Sequence, residues 1–131
     1  MAMLETISHG DVTELRFTTW RSTLSRMRVS AFVARGLLVD SSFPAAAPDL
    51  VRWLATHPVQ GAALTHYHED HSGGAAALAR CGTPLWMSDE TQSRVAAPAP
   101  IFFYRRFSWG SPEPLRTYTP LAADGLDRTI W

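Results

Sequence analysis

The chain has 131 residues, 46% of them hydrophobic, with 12 basic and 12 acidic side chains and a formal net charge of zero. This length corresponds to about one domain with one core, and the balanced charge gives no field to draw in nucleic acid or an anionic membrane surface. No apolar run approaches the roughly 20 residues that span a bilayer. The N-terminus lacks a charged-then-apolar signal pattern, and the single cysteine, Cys81, has no internal disulfide partner; a reducing, cytoplasmic setting is the expectation.

Residues 12–20 are rich in Val, Leu, Phe, Thr and Trp and alternate loosely, which predicts a strand. His9, beside Gly10, reads as a turn residue. Residues 28–34 and 37–40 predict two further strands around a tight turn at Arg35-Gly36, with Asp40-Ser41-Ser42 ending the second. Residues 44–56 predict a helix: Pro44 suits its first turn, and Leu50, Val51, Trp53 and Leu54 form an apolar stripe. His57-Pro58 stops it, with His57 placed to interact with the helix dipole. Residues 59–64 predict a short buried strand and residues 74–80 a helix with a small-residue face. After Gly82-Thr83-Pro84, Leu85-Trp86-Met87 predicts another strand. Ser88 is then an N-cap for a helix to about Val95, with Thr91 at its third position. Cys81 reads as a small buried residue.

From Ala97 the texture changes. Five prolines from Pro98 to Pro120 punctuate a stretch holding Phe102, Phe103, Tyr104, Phe107 and Trp109. Residues 97–131 are expected to form a packed but irregular excursion, with 101–109 either a lid over the site or packing at the sheet edge. The domain division expected is thus 1–96, sheet and helix, and 97–131, aromatic and Pro-rich.

The chemistry lies in His66-Tyr67-His68-Glu69-Asp70-His71, which places three imidazoles and a carboxylate in one short stretch after the apolar Gly61-Ala62-Ala63-Leu64. These are donor types that zinc and iron accept. Histidines two apart point the same way only from extended backbone, so His66 and His68 can serve one metal while Asp70 and His71, past the turn, serve a second nearby. Tyr67 reads as a wall residue, and Glu69 as pointing away from the metals.

This strand, H-x-H-x-D-H loop and Gly73-Gly74 helix start resemble the metallo-β-lactamase fold superfamily, over roughly residues 29–87. The resemblance implies an α/β (α+β type) fold: the N-terminal half of an αββα sandwich, a mixed β-sheet with helices on one face. It implies His66 and His68 in the first metal site, Asp70 and His71 in the second, and two Zn²⁺ per complete domain, with iron in some redox relatives. It further implies hydrolysis by a metal-activated water, with Asp70 as the catalytic residue holding or receiving its proton. Leu37-Leu38-Val39-Asp40 resembles the family's upstream strand, making Asp40 a candidate to orient a ligand histidine. Small ester, thioester or lactone substrates are expected, with no nucleic-acid or membrane partner; the missing export signal argues against literal β-lactam hydrolysis.

The family closes its site with a later histidine, a bridging aspartate and usually a final histidine. Here no histidine follows His71, and Asp89, Glu90, Glu113, Asp124 and Asp127 stand outside the expected motif. The chain is therefore expected to be a truncated domain, poorly active alone, that self-associates through a sheet face its missing half would cover. The alternatives are an iron-dependent redox member of the fold, or a non-catalytic metal-binding half-domain that pairs with a partner.

Overall fold

A computed structural model of the chain describes residues 2–115 and 118–120. Seven strands form one mixed sheet in sequential order. Strands β1 (Met3–His9), β2 (Val12–Thr18), β3 (Val29–Ala34) and β4 (Leu37–Val39) pair antiparallel, each with the next. From β4 onward, β5 (Gly61–Ala63), β6 (Leu85–Met87) and β7 (Thr119–Pro120) run parallel. Parallel neighbours need crossovers. A 3-10 turn (Pro44–Ala46) and helix α2 (Ala47–Thr56) supply the first, α3 (Glu69–Ser72) and α4 (Ala75–Arg80) the second, α5 (Asp89–Ala96) and α6 (Phe103–Trp109) the third. Helix α1 (Trp20–Leu24) links β2 to β3.

Local chemistry accounts for most boundaries. Arg35 and Gly36 both adopt positive φ (51° and 79°), the backbone that matches a two-residue hairpin turn to strand twist. The Ser88 hydroxyl accepts from the Thr91 backbone N–H and so caps α5 as its sequence predicts. His57 closes α2, its N–H donating to the Trp53 carbonyl and its ring stacked on Trp53 at 4.2 Å.

Register sets the two faces of the sheet. Leu15 opposes Ala31, Phe17 opposes Val29 and Leu38 lies beside Ala62. These residues are buried in one cluster with Leu50 of α2 and Leu78 of α4, so those helices cover this face. By the two-residue alternation of a strand, the opposite face carries Met3, Glu14, Arg16 and Phe32. Met3 is 69% and Phe32 39% exposed there. Glu14 is the exception on that face. It accepts from Ser30 at 2.7 Å and from Arg16 Nε at 3.1 Å, lies 2.8 Å from His9 Nε2, and its carboxyl is held down at about 2, by the Ser30 bond first and the His9 bond next.

The structure corrects four expectations. β1 is an addition to the strands predicted above: at the sheet edge it buries none of its seven residues and packs only Leu4 against the core, so no apolar alternation marks it; His9 is its last residue, ahead of the Gly10 turn. The capping box of Thr19 and Ser22 that starts α1 was equally unread. The aromatic stretch is not irregular: residues 103–109 are helical, and Phe103 (78% exposed) and Tyr104 (52%) face outward while Ser108 and Trp109 are buried. Apolar residues on the outer face erase the stripe by which an amphipathic helix is recognised. Cys81 is exposed at the end of α4 rather than buried. The final residues 127–131, with Asp124, lie outside the described residues.

Candidate metal centre

The parallel strands β4 and β5 end side by side, and the candidate site stands at their carboxyl ends, the position at which open α/β sheets present their ligands. Asp40 follows β4 directly. It adopts a positive φ of 65°, a strained backbone for a non-glycine residue, and Ser42 two residues on does the same at 61°. The strand exit is thereby turned so that the Asp40 carboxylate faces the segment leaving β5. Its Oδ1 accepts from the Thr65 N–H at 2.8 Å and the Thr65 hydroxyl at 2.9 Å, and its Oδ2 stands 2.8 Å from His71 Nδ1. Asp40 is 5% exposed, so these partners stand in place of water around a buried charge.

The loop is fixed against the β4 exit by backbone bonds as well. The Asp40 N–H donates to Ala63, Ser41 to His71 and Gly73 to Ser42, at 2.7–2.8 Å. Gly73 and Gly74 make this approach possible. A Cβ on Gly74 would meet the Ser41 carbonyl oxygen at 2.4 Å, and one on Gly73 would meet Pro44 at 2.3 Å. The glycine pair therefore serves close packing of two loops.

Within this frame the three imidazoles gather. The His66 ring lies 4.2 Å from that of His71 and 4.8 Å from that of His68. Asp70 Oδ2 stands 3.5 Å from His71 Nε2. Burial holds the His66 imidazole below its ordinary range, with repulsion from His71 and His68 adding to the effect. The hydrogen bond to Asp40 raises that of His71. His66 Nδ1 is occupied by the Thr65 hydroxyl at 2.9 Å and His71 Nδ1 by Asp40, which leaves Nε2 as each ring's other nitrogen.

The donor types suit zinc or iron, and a histidine braced by a carboxylate on its far nitrogen is the arrangement that orients a metal-ligating imidazole. Among the described residues, though, no three of the His, Cys, Asp and Glu side chains stand ready to hold one ion. His66 and His68 lie between β5 and α3, with His68 the N-cap of α3 on extended backbone (φ −58°, ψ 142°), and His71 lies within α3.

The two intervening loop residues show what the sequence could not. Glu69 is turned into the protein: it is 5% exposed, its Oε1 2.6 Å from Arg105 Nε of α6, an ion pair without hydrogen-bond alignment. Tyr67 lies under the Arg94 guanidinium of α5, 5.1 Å from the ring centre. Both residues, with His68, wall a cavity of about 300 Å³ closed on its other side by residues of the 94–115 segment. Nothing local in the sequence pairs Glu69 with Arg105 or Tyr67 with Arg94. The carboxylate and ring of the loop and the downstream arginines are each legible, but their pairing is tertiary. Phe102 and Arg105 line this cavity, while Phe103 and Phe107 do not, so the aromatic segment borders the loop through part of its length only.

Comparison with known proteins agrees with this geometry. The profile of the metallo-beta-lactamase superfamily matches residues 27–130. Comparison with curated protein sequences gives no significant match. Among solved structures, the chain is similar to the metallo-β-lactamase FIM-1 from Pseudomonas aeruginosa in its mono-zinc form, at 17% identity and a TM-score of 0.61, covering 70% of this chain and 44% of that one. It is also similar to a flavoprotein from Thermotoga maritima, at 18% identity and a TM-score of 0.61, covering 77% and 31%. For a metallo-β-lactamase from Pontibacter korlensis the values are 20% and 0.59, covering 89% and 54%. The chain thus spans about a third to a half of the length of these structures, and at such identities the likeness shows the fold. With the profile matched over most of its length, and a histidine-rich loop at the ends of its parallel strands, the chain belongs to the metallo-beta-lactamase superfamily.

Proposed function

We propose that this chain carries the first part of the active centre of a metal-dependent hydrolase acting on a small ester, thioester or lactone. The observation that carries the reading is the gathering of His66, His68 and His71 at the ends of β4 and β5, with Asp70 beside His71 and Asp40 behind it. His66 and His68 would hold one ion and Asp70 and His71 a second; Zn²⁺ is the first choice for this donor set and iron the next. The chemistry that such an ion supplies when bound is Lewis acidity and a water acidic enough to attack at neutral pH.

The chain's own residues supply the rest. Asp40 fixes the ring of His71 and keeps its Nε2 turned to the site. Burial keeps His66 neutral near pH 7, so that its ring nitrogen offers a lone pair. Asp70 takes the proton released as the nucleophile attacks the carbonyl carbon. The cavity behind Tyr67 and His68 supports a small organic substrate, as does zero net charge, which gives nucleic acid no field to follow. The site's later ligands have no counterpart here, since no histidine follows His71, so turnover by this chain alone is expected to be poor. Self-association through the face carrying Met3 and Phe32 belongs to the same proposal, as does a cytoplasmic location; no helix among the described residues is long and apolar enough to cross a membrane.

The test is metal content by mass spectrometry after reconstitution and dialysis, with hydrolysis of 4-nitrophenyl acetate followed in parallel. Retained zinc that is lost in His66→Ala and His68→Ala supports the reading. No retained metal, or retention unchanged in both variants, refutes it. Fast metal-dependent turnover by the chain as it stands would overturn the expectation of poor activity.

A second reading, iron-based redox chemistry on the same loop, is favoured by one observation, the similarity to a flavo di-iron protein from Thermotoga maritima at a TM-score of 0.62 and 15% identity. Preferential retention of iron, with an absorption spectrum that changes on reduction, would select it.

A further inference from the structure

The cavity beside the loop has a composition of its own. One wall is apolar: Val95 and Leu115 are 6% and 4% exposed, and Ile101 and Pro98 complete it. The charged groups that line it are satisfied within the protein, with one exception. Arg105 is paired with Glu69, and Glu113 with Arg80. Arg94 has no carboxylate partner among the described residues and rests its guanidinium on the Tyr67 ring. The cavity thus offers an apolar interior and, among the described residues, one uncompensated cation at its edge, over Tyr67.

We propose that this cavity binds a small amphiphilic carboxylate, its apolar body against Val95, Ile101 and Leu115 and its carboxylate on Arg94. A volume of about 300 Å³ suits a small organic ligand, and apolar walls with one or two placed polar groups are the usual make-up of such a site. A planar guanidinium matches a carboxylate with two parallel hydrogen bonds, whereas a cationic ligand would add like-charge repulsion at the same spot. Glu69 does not compete for Arg94, because Arg105 already holds it. The inference rests on the hydrolase reading in one respect: it takes this ligand to be the carboxylic acid that hydrolysis of the substrate releases, its carboxylate on Arg94 beside the loop. Binding itself requires no metal.

The test uses the full 131-residue chain, stripped of metal with a chelator, and titrated with octanoate, octylammonium and octanamide by NMR chemical-shift mapping. Octanoate is expected to shift the Val95, Ile101 and Leu115 methyl signals and to bind at least tenfold more tightly than octylammonium. Arg94→Gln should weaken octanoate roughly threefold to tenfold, as for a partly exposed charge-assisted bond, and leave octanamide unchanged. Ile101→Trp, which fills the cavity from a half-buried position, should abolish both. Equal affinity for octanoate and octylammonium, octanoate affinity unmoved by Arg94→Gln, or shifts confined to other residues would overturn the proposal. Because no metal is present, a negative result leaves the hydrolase reading standing. Failure of metal retention would likewise leave this one intact.

Discussion

Asp40→Asn separates the two things that the carboxylate does. In the native chain its oxygens serve the Thr65 N–H, the Thr65 hydroxyl and His71 Nδ1, all within 2.9 Å of a carboxylate that is 5% exposed. Asparagine keeps one acceptor oxygen. If that oxygen stays with Thr65, the amide NH₂ faces His71 Nδ1, which must then become an acceptor and move its hydrogen to Nε2. The substitution therefore replaces a charge-assisted bond and reverses the tautomer, at a cost of about 2 kcal/mol in stability. The pH dependence follows by sign. The His71 pKa is raised in the folded state from 6.5, so its stabilisation is fully present below pH 6.5 and fades as pH rises through the folded value. Asp40→Asn should remove that slope. Denaturant unfolding of the metal-free chain across this range, with the His71 imidazole followed by NMR, measures both. Metal affinity should fall about 10- to 100-fold, the usual result of losing a carboxylate behind a ligand histidine. A variant whose His71 titrates as in the native chain, and whose stability lies within about 0.5 kcal/mol of it, would refute the assignment of Asp40 as the residue that positions His71.

Other substitutions test the frame around the loop. Gly74→Ala places a methyl 2.4 Å from the Ser41 carbonyl oxygen and should cost about 1–3 kcal/mol by thermal unfolding; a variant as stable as the native chain would mean that the two loops are not in tight contact. Arg105→Met leaves the Glu69 carboxylate buried without its cation, and should destabilise by about 2–4 kcal/mol. Glu69→Gln alongside it should recover part of that loss, and a double-mutant cycle with no coupling would refute the pair. Glu14 has its carboxyl held at about 2, against 4.5 ordinarily, so its contribution is present above pH 4.5 and is lost as pH falls through about 2. Acid unfolding of Glu14→Gln should accordingly show a shallower slope over that interval, and an unchanged slope would place the acid sensitivity elsewhere.

Much of this protein is local and could be read from the chain. Arg35-Gly36 has the residue types that a two-residue hairpin turn accepts, Ser88 and Thr91 form a helix start within four residues, and Leu50 to Leu54 repeat at the helical period. The cluster from His66 to His71 announces its chemistry because all its donors come from one loop. Asp40 lay further away, yet was legible as a strand-end carboxylate through its resemblance to a known pattern. Two of the readings that failed share a cause. β1 lies at the sheet edge and α6 turns Phe103 and Tyr104 outward, so neither carries the apolar periodicity that a buried face imposes.

The sequence by itself determined the fold class, the order of most elements and the donor types of the loop, because propensity, turn chemistry and apolar spacing act over a few residues. Tertiary structure alone decided that Asp40 faces His71, that Glu69 is buried against Arg105, and that Arg94 stands over Tyr67 at the edge of a cavity. Those contacts join strand ends and helices far apart in the chain, and only the packing of the parallel crossovers on the sheet brings them within a few ångströms.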